Sequence, residues 1–309
     1  MQILAGVGAG ISRVGVAGYF GGGENAVNYQ SNIDRIAFPA ETKTTLSATL
    51  TTIRTVLGAM SDSGVAGYFG GGFDGSVLIS GIDKITFPAD TKTTLVATLT
   101  TARQYLAGMA NAGVAGYFGG GSDGVLLNGI DKITFPADTK TTLVATLTTA
   151  KRFAYSNANI GVAGYFAGGV DGGGNTSNID RIAFPADTKT TLVATLTTAR
   201  SEGAGFADSG VAGYYAGGAD SGGNIAAIDR IAFPAETKTT LSATLTSARY
   251  SLAAMANSGV AGYTGGGLAP GYQSNIDRIA FPAETKTTIS ATLTSGRGGL
   301  AGMSDDGVF

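Results

Sequence analysis

Apolar residues alternate with small or polar ones over short stretches, each stretch stops near Gly, Pro or a polar turn, and the stretches return along the whole chain. A period of two points to strands, whose successive side chains face opposite sides of a sheet. Between positions 15 and 63 there are four such segments. Val16 to Phe20 ends in Gly21, Gly22 and Gly23; Ile33 to Phe38 ends at Pro39; Thr44 to Leu50 alternates Thr with Leu and Ala; Val56 to Met60 precedes the polar turn Ser61 to Ser63. A helix fits poorly, because Thr and Val are stiff at χ1 and no apolar stripe of helical spacing is sustained. Phe-Pro-Ala-Glu predicts a tight turn with Pro at its second position, where the fixed φ of the ring is already right.

The same phrases recur at a fixed distance. Gly-Val-Ala-Gly-Tyr begins at Gly15, Gly64, Gly113, Gly161, Gly210 and Gly259, and Phe-Pro-Ala-(Glu/Asp)-Thr-Lys-Thr-Thr begins at Phe38, Phe87, Phe135, Phe184, Phe233 and Phe281. The spacing of 48 or 49 residues divides 1–309 into an N-terminal segment, 1–14, six repeats and a last stretch, 297–309, within one domain. Four short strands in every repeat of roughly 45 to 50 residues predict an all-β fold, a six-bladed β-propeller with one repeat per blade. A parallel β-solenoid uses shorter coils and does not account for the hairpin-like turns.

With strands named a to d from the axis outward, the chain has one a strand too many: a degenerate copy at Val7 to Ile11 and a good one at Leu300 to Met303. The C-terminal copy matches the repeat better. It is expected to complete the first blade, joining last repeat to first and covering strand edges that invite aggregation. The N-terminal dozen residues are then free to pack across the ring or dock on another protein.

Composition narrows the function. The chain is 43% apolar and only 14% charged, with 50 glycines and seven prolines, which excludes collagen and a disordered tail. Each repeat supplies three cations, and of the 20 Lys and Arg only Arg13 and Arg152 fall outside that pattern. A net charge of −2 without a Lys or Arg cluster offers no grip on nucleic acid or an anionic membrane. Absence of Cys and His removes disulfides, thiolate and imidazole metal ligands and the commonest general base. No cofactor or metal is expected. The first residues lack the basic and apolar stretches of a signal peptide, and no window approaches the ~20 apolar residues of a membrane span.

The order Arg-x-x-Leu-Ala-Gly-Met, Gly-Val-Ala-Gly-Tyr-Phe-Gly-Gly and Ile-Asp-(Arg/Lys)-Ile resembles the kelch-type repeat, whose diagnostic element is a glycine doublet after an apolar and aromatic strand. All six repeats carry the doublet, but none carries the usual tryptophan; Phe-Pro-Ala lies in that part of the unit. Ala-Gly-Tyr-Phe-Gly-Gly-Gly with Ile-Asp-Lys-Ile-Thr-Phe-Pro-Ala-Asp-Thr is also similar to kelch-like repeats in virion and tail-fibre-associated proteins of marine cyanobacterial phages. That resemblance implies a structural or adhesion protein of a phage particle, at the virion or an extracellular surface. Its partners would be other virion proteins, further copies of itself, and a host-surface receptor or glycan. Some kelch propellers carry oxidase chemistry around copper held by His, which this chain lacks.

Several groups are candidates for chemistry. Asp34, Asp83, Asp131, Asp180, Asp229 and Asp277 recur once per repeat, but six like carboxylates next to Arg or Lys suit repeated ion pairs better than acid-base catalysis, which needs unlike environments. No enzyme activity is expected. Arg54, Arg103, Lys151, Arg200, Arg249 and Arg297 open strand a and are candidates for a ring of cations at one mouth of the axial channel, where they would hold an anion or pair with carboxylates of the blades. The glycine triplets do not lead into a phosphate-binding helix, and Asp74, Asp123 and Asp171, each followed by Gly, are better suited to turns than to calcium.

Two segments differ from repeat to repeat: the b to c loops and the residues just after each strand-a cation. In an up-and-down blade both emerge on one face. There they gather Tyr29, Tyr105, Phe153, Tyr155, Tyr250 and Tyr272 with Asn28, Asp74, Asp123 and Asn175, flat rings and hydrogen-bonding groups suited to surface recognition. Drift of exposed loops gives the same pattern, and a purely architectural decoration or assembly protein is the alternative.

Overall fold

The computed structural model describes residues 16–307, which form a six-bladed β-propeller without a helix. Each blade is an antiparallel sheet in the order a, b, c, d; in the second blade the strands are Gly58–Asp62, Ala66–Gly70, Ile82–Thr86 and Thr91–Thr94. The first blade consists of Ala17–Gly21, Ile33–Ala37 and Thr42–Thr45, with Ala301–Ser304 as its inner strand and Met303 opposite Tyr19. The C-terminal copy of strand a therefore closes the ring, as its better match to the repeat predicts. The N-terminal segment 1–14 and its Val7 to Ile11 stretch lie outside the described residues.

Strand b is buried along its whole length because both of its faces meet neighbouring blades. Its Tyr stacks on the Phe of Phe-Pro-Ala in the following blade: Tyr19 on Phe87, with ring centroids 5.1 Å apart, Tyr68 on Phe135 and Tyr263 on Phe38. The core is thus a series of layers between blades. Burial of each such aromatic side chain contributes on the order of 1.5–3 kcal/mol, and the repeat supplies it at every interface.

Two local expectations need correction. Strand d is Thr42–Thr45, not Thr44 to Leu50; beyond it the chain crosses towards the next blade, held by amides of Leu46 and Leu50 donating to the carbonyls of Ile33 and Ser31. The Leu alternation there records anchoring of a crossing segment, except in the sixth blade, where strand d runs Lys286–Thr292. The turn is closed from the residue before Phe, with the Phe–Pro bond cis in all six blades, and Pro therefore does not hold the second position of a four-residue turn begun at Phe. The turn ends instead on a left-handed acidic residue such as Glu41, whose amide donates to the Ala37 carbonyl at 2.8 Å.

Around the axis the third residue of the inner segment alternates with and without a side chain: Ala59, Gly108, Ser156, Gly205, Ala254, Gly302. A Cβ on Gly108 would lie 2.1 Å from the Ala59 carbonyl oxygen, and one on Gly302 would lie 2.2 Å from that of Ala254. Adjacent inner strands approach so closely that every second blade needs Gly. The axial channel behind the mouth is correspondingly small, a cavity of about 90 Å³.

Candidate functional site at the axial mouth

The six strand-a cations do not ring the channel. Each is buried inside its own blade and paired with the Asp of strand c: Arg54 with Asp83, Arg103 with Asp131, Lys151 with Asp180, Arg200 with Asp229, Arg249 with Asp277, Arg297 with Asp34. Asp83 shows how full these sites are. It accepts hydrogen bonds from the Thr51 hydroxyl (2.6 Å) and amide (2.9 Å), the Thr94 hydroxyl (2.8 Å) and Arg54 (2.6 Å), so the crossing segment, strand c, strand d and the cation meet on one carboxylate. Burial by itself raises the pKa of all six Asp carboxyls, but the threonine bonds and the cation outweigh it and hold them below the usual carboxylate range. With the carboxylate oxygens taken up by threonines and the cation, and both groups closed off from water inside the blade, the work of each pair is structural.

A second sixfold contact joins neighbouring blades on the opposite face. The acid of each Phe-Pro-Ala turn accepts from the strand-b Tyr of the preceding blade and pairs with that blade's strand-c cation: Tyr165 donates to Glu236 at 2.8 Å and Arg181 lies 2.7 Å from it, while Tyr68 and Lys84 do the same with Asp138. These turns are therefore clamps between blades, not idle loops.

Two residues after each buried cation the picture changes. Val56, Tyr105, Phe153, Glu202, Ser251 and Gly299 all have left-handed backbone, with φ of 52, 61, 59, 60, 52 and 62°. Their backbones form a closed belt around the axis. The amide of Val56 donates to Gly299 (2.6 Å), Gly299 to Ser251 (2.8 Å), Ser251 to Glu202 (2.6 Å), Glu202 to Phe153 (3.2 Å), Phe153 to Tyr105 (2.9 Å), and Tyr105 back to Val56 (2.8 Å). Left-handed backbone suits Gly; a β-branched or bulky residue there costs on the order of 1–3 kcal/mol. In a chain with 50 glycines, five of the six positions nevertheless carry a side chain, and no two are alike.

Those side chains line a cavity of about 80 Å³ at the mouth, with leucines of strand a beneath. Tyr105 and Phe153 pack together with centroids 4.0 Å apart, and the Arg152 guanidinium lies 5.6 Å and 5.3 Å from the two rings. The Glu202 carboxylate accepts from the Ser251 hydroxyl at 2.6 Å; burial pushes its pKa up, against the pull of Ser251 and Arg152. Glu24, Tyr29 and Tyr272 flank the same mouth: burial first and the Glu24 charge second raise the Tyr272 phenol, and Tyr29 packs edge-on against Phe73 at 6.1 Å. Tyr250 pairs through its backbone with Leu268 at the start of the next loop.

The remaining candidates separate. Tyr155 is 1% exposed, and its hydroxyl donates to the Gly217 carbonyl at 2.8 Å, so it is a core residue and not a ligand contact. Its ring occupies the space beside Gly203, where four other blades place Leu. Asp74 caps its own loop, accepting from the amides of Ser76 and Val77, and Asp123 accepts from Val125; both have the turn role that Asp-Gly predicts. Asn28 and Asn175 are exposed on the loops, Asn28 bonded to Gln30 and Asn175 to the Ala219 carbonyl of the next blade. Sequence patterns singled out Tyr105, Phe153, Tyr29, Tyr250 and Tyr272 but missed Glu24, Val56, Glu202 and Ser251. Position relative to the buried cation would have found the last three.

Comparison with protein-family models finds none that matches the chain, and comparison with curated proteins finds no match. What is shown is the six-bladed propeller itself.

Proposed function

We propose that this propeller is a non-enzymatic recognition and adhesion module of kelch type, carried on a phage particle and binding a host-surface ligand, such as a glycan, at the axial mouth. The observation that carries this reading is the belt of six left-handed positions, where backbone bonding asks for no side chain and five different ones are kept at a cost in strain. Strain retained against the local preference points to use. Aromatic rings beside amide and carboxyl groups suit a saccharide, and many weak contacts on one particle add up to firm attachment. The kelch and phage components rest on the glycine doublets and on the wording of the repeat.

The test is attachment of bead-displayed protein to host cells. Replacing Tyr105, Tyr250 and Tyr272 with Ala should abolish attachment and shift the melting temperature little, since these rings lie outside the layers between blades. Undiminished attachment would sink the proposal. The architectural alternative then gains from a different feature: half-exposed Val16, Val65, Val114, Val162 and Val211 repeat around the opposite face, where a second assembly component would find apolar contacts.

A further inference from the structure

Arg152 stands apart from every other cation of the described residues. Of the 20 Lys and Arg, Arg13 lies outside them, and eighteen pair with carboxylates: six in the buried hubs, six in the clamps between blades, and six lysines of strand d that lie beside the hub Asp. Arg152 has no such partner among them. It is also one of the two cations that the repeat does not supply. Its backbone is fastened to Val170 by paired hydrogen bonds of 3.0 and 2.9 Å, and its guanidinium is held over Tyr105 and Phe153. A guanidinium stacked on rings keeps its planar fork of N–H donors fixed and unspent, which is the geometry for bidentate binding of an oxyanion.

Two carboxylates outside the repeated pairs lie close by: Glu202 in the lining of the mouth, and Glu24 beside the belt, its backbone paired with Gly298 next to Gly299. Glu202 spends one oxygen on Ser251, and Glu24 sits beside Tyr272; neither pairs with a cation among the described residues. A ligand that fills this mouth must bring one oxyanion to Arg152 and neutral donors to the carboxylates. An acidic peptide brings several anions and would be repelled. A saccharide carrying one carboxylate or sulfate brings both, with hydroxyls for Glu202 and Glu24 and a ring face for the aromatic wall.

We infer that the axial mouth selects an acidic saccharide, with Arg152 binding the carboxylate or sulfate and Glu202 accepting from sugar hydroxyls. This deepens the recognition reading above and rests on it. The experiment is equilibrium binding of the full-length protein to four defined probes: an oligouronate, a sulfated oligosaccharide, a neutral oligoglucose and an oligoglutamate peptide. The oligouronate or the sulfated sugar should bind best, and which of them does so identifies the anion. Arg152→Met should weaken that binding at least tenfold while the protein keeps its single cooperative melt, because Arg152 holds none of the ion pairs within or between the blades. Arg152→Lys should fall between, keeping charge without the fork, and Glu202→Ala should weaken it about threefold by removing the hydroxyl acceptor. Preference for the peptide, equal binding of neutral sugar with no effect of Arg152→Met, or binding of no probe would each overturn the inference. Host-cell attachment that survives Arg152→Met and is lost in the tyrosine variant would leave the recognition reading standing without it.

Discussion

The buried cation of each blade and the residue two positions after it belong to the same short segment and have opposite fates. Arg54 is matched in every blade by an Arg or Lys with the same Asp partner, whereas Val56 is matched by Tyr, Phe, Glu, Ser and Gly. The difference follows from what satisfies each position. A charge inside a blade must meet its counter-charge or destabilise the fold, so its identity is tied to Asp83 and its equivalents. The belt around the axis satisfies its own amides and carbonyls through the backbone, so its bonding prescribes no particular side chain. Repetition marks where the fold is held, and variety marks where its bonding leaves the side chain open.

Removing a whole member of the repeated set should have the largest effect on stability. Truncation before Arg297 takes away the inner strand of the first blade and the cation of its Asp34 hub, and it should abolish the cooperative melt of the full chain. A truncated protein that melts at the parental temperature would show that ring closure lies elsewhere.

Within the hubs, Asp83→Ala leaves Arg54 buried without its partner and should cost about 3–5 kcal/mol in urea unfolding. The hubs also set the acid limit. Because the folded carboxyls lie below the ordinary value of about 3.9, their stabilisation is complete above that pH and is lost as pH falls through the folded values. Unfolding free energy should therefore decline steeply below about pH 4; a decline that begins near neutrality would place the controlling groups outside the hubs.

The clamps between blades should matter less. Glu236→Ala removes the Tyr165 hydrogen bond and the Arg181 pair, both partly open to water, and should cost about 1–2 kcal/mol. A cost below a few tenths would demote the clamp to a surface contact. At the mouth the sign reverses. Val56→Gly relieves a β-branched residue in left-handed backbone and should be neutral or stabilising by up to about 1 kcal/mol in the same assay, where Gly in a strand would destabilise. A loss of stability of that size would mean that the belt depends on its side chains, and the contrast with the hubs would fail.

Much of this was legible in the chain. Period-two alternation, the recurrence of Gly-Val-Ala-Gly-Tyr and the surplus strand at Leu300 to Met303 carry the blades, their number and the closure, because each depends on residues close together or on copies of one phrase. The strand-c Asp was recognisable as a partner for a repeated cation. Tyr155 was misplaced because its neighbours resemble loop residues, while its orientation depends on Gly203 and Gly217 in the next blade.

Six equivalent units, their strands and the place of the C-terminal copy of strand a in the first blade all follow from the order of residues along the chain. Local preference and repetition suffice for this, since every blade solves the same problem with the same residues. Packing of the closed ring sets the rest: the strand-a cations turn into the blades rather than towards the axis, turn acids reach across to the preceding blade, and the positions after the cations join in a left-handed belt. Those outcomes depend on how close the inner strands come around a closed ring, a distance set by all six blades together and written in none of them singly.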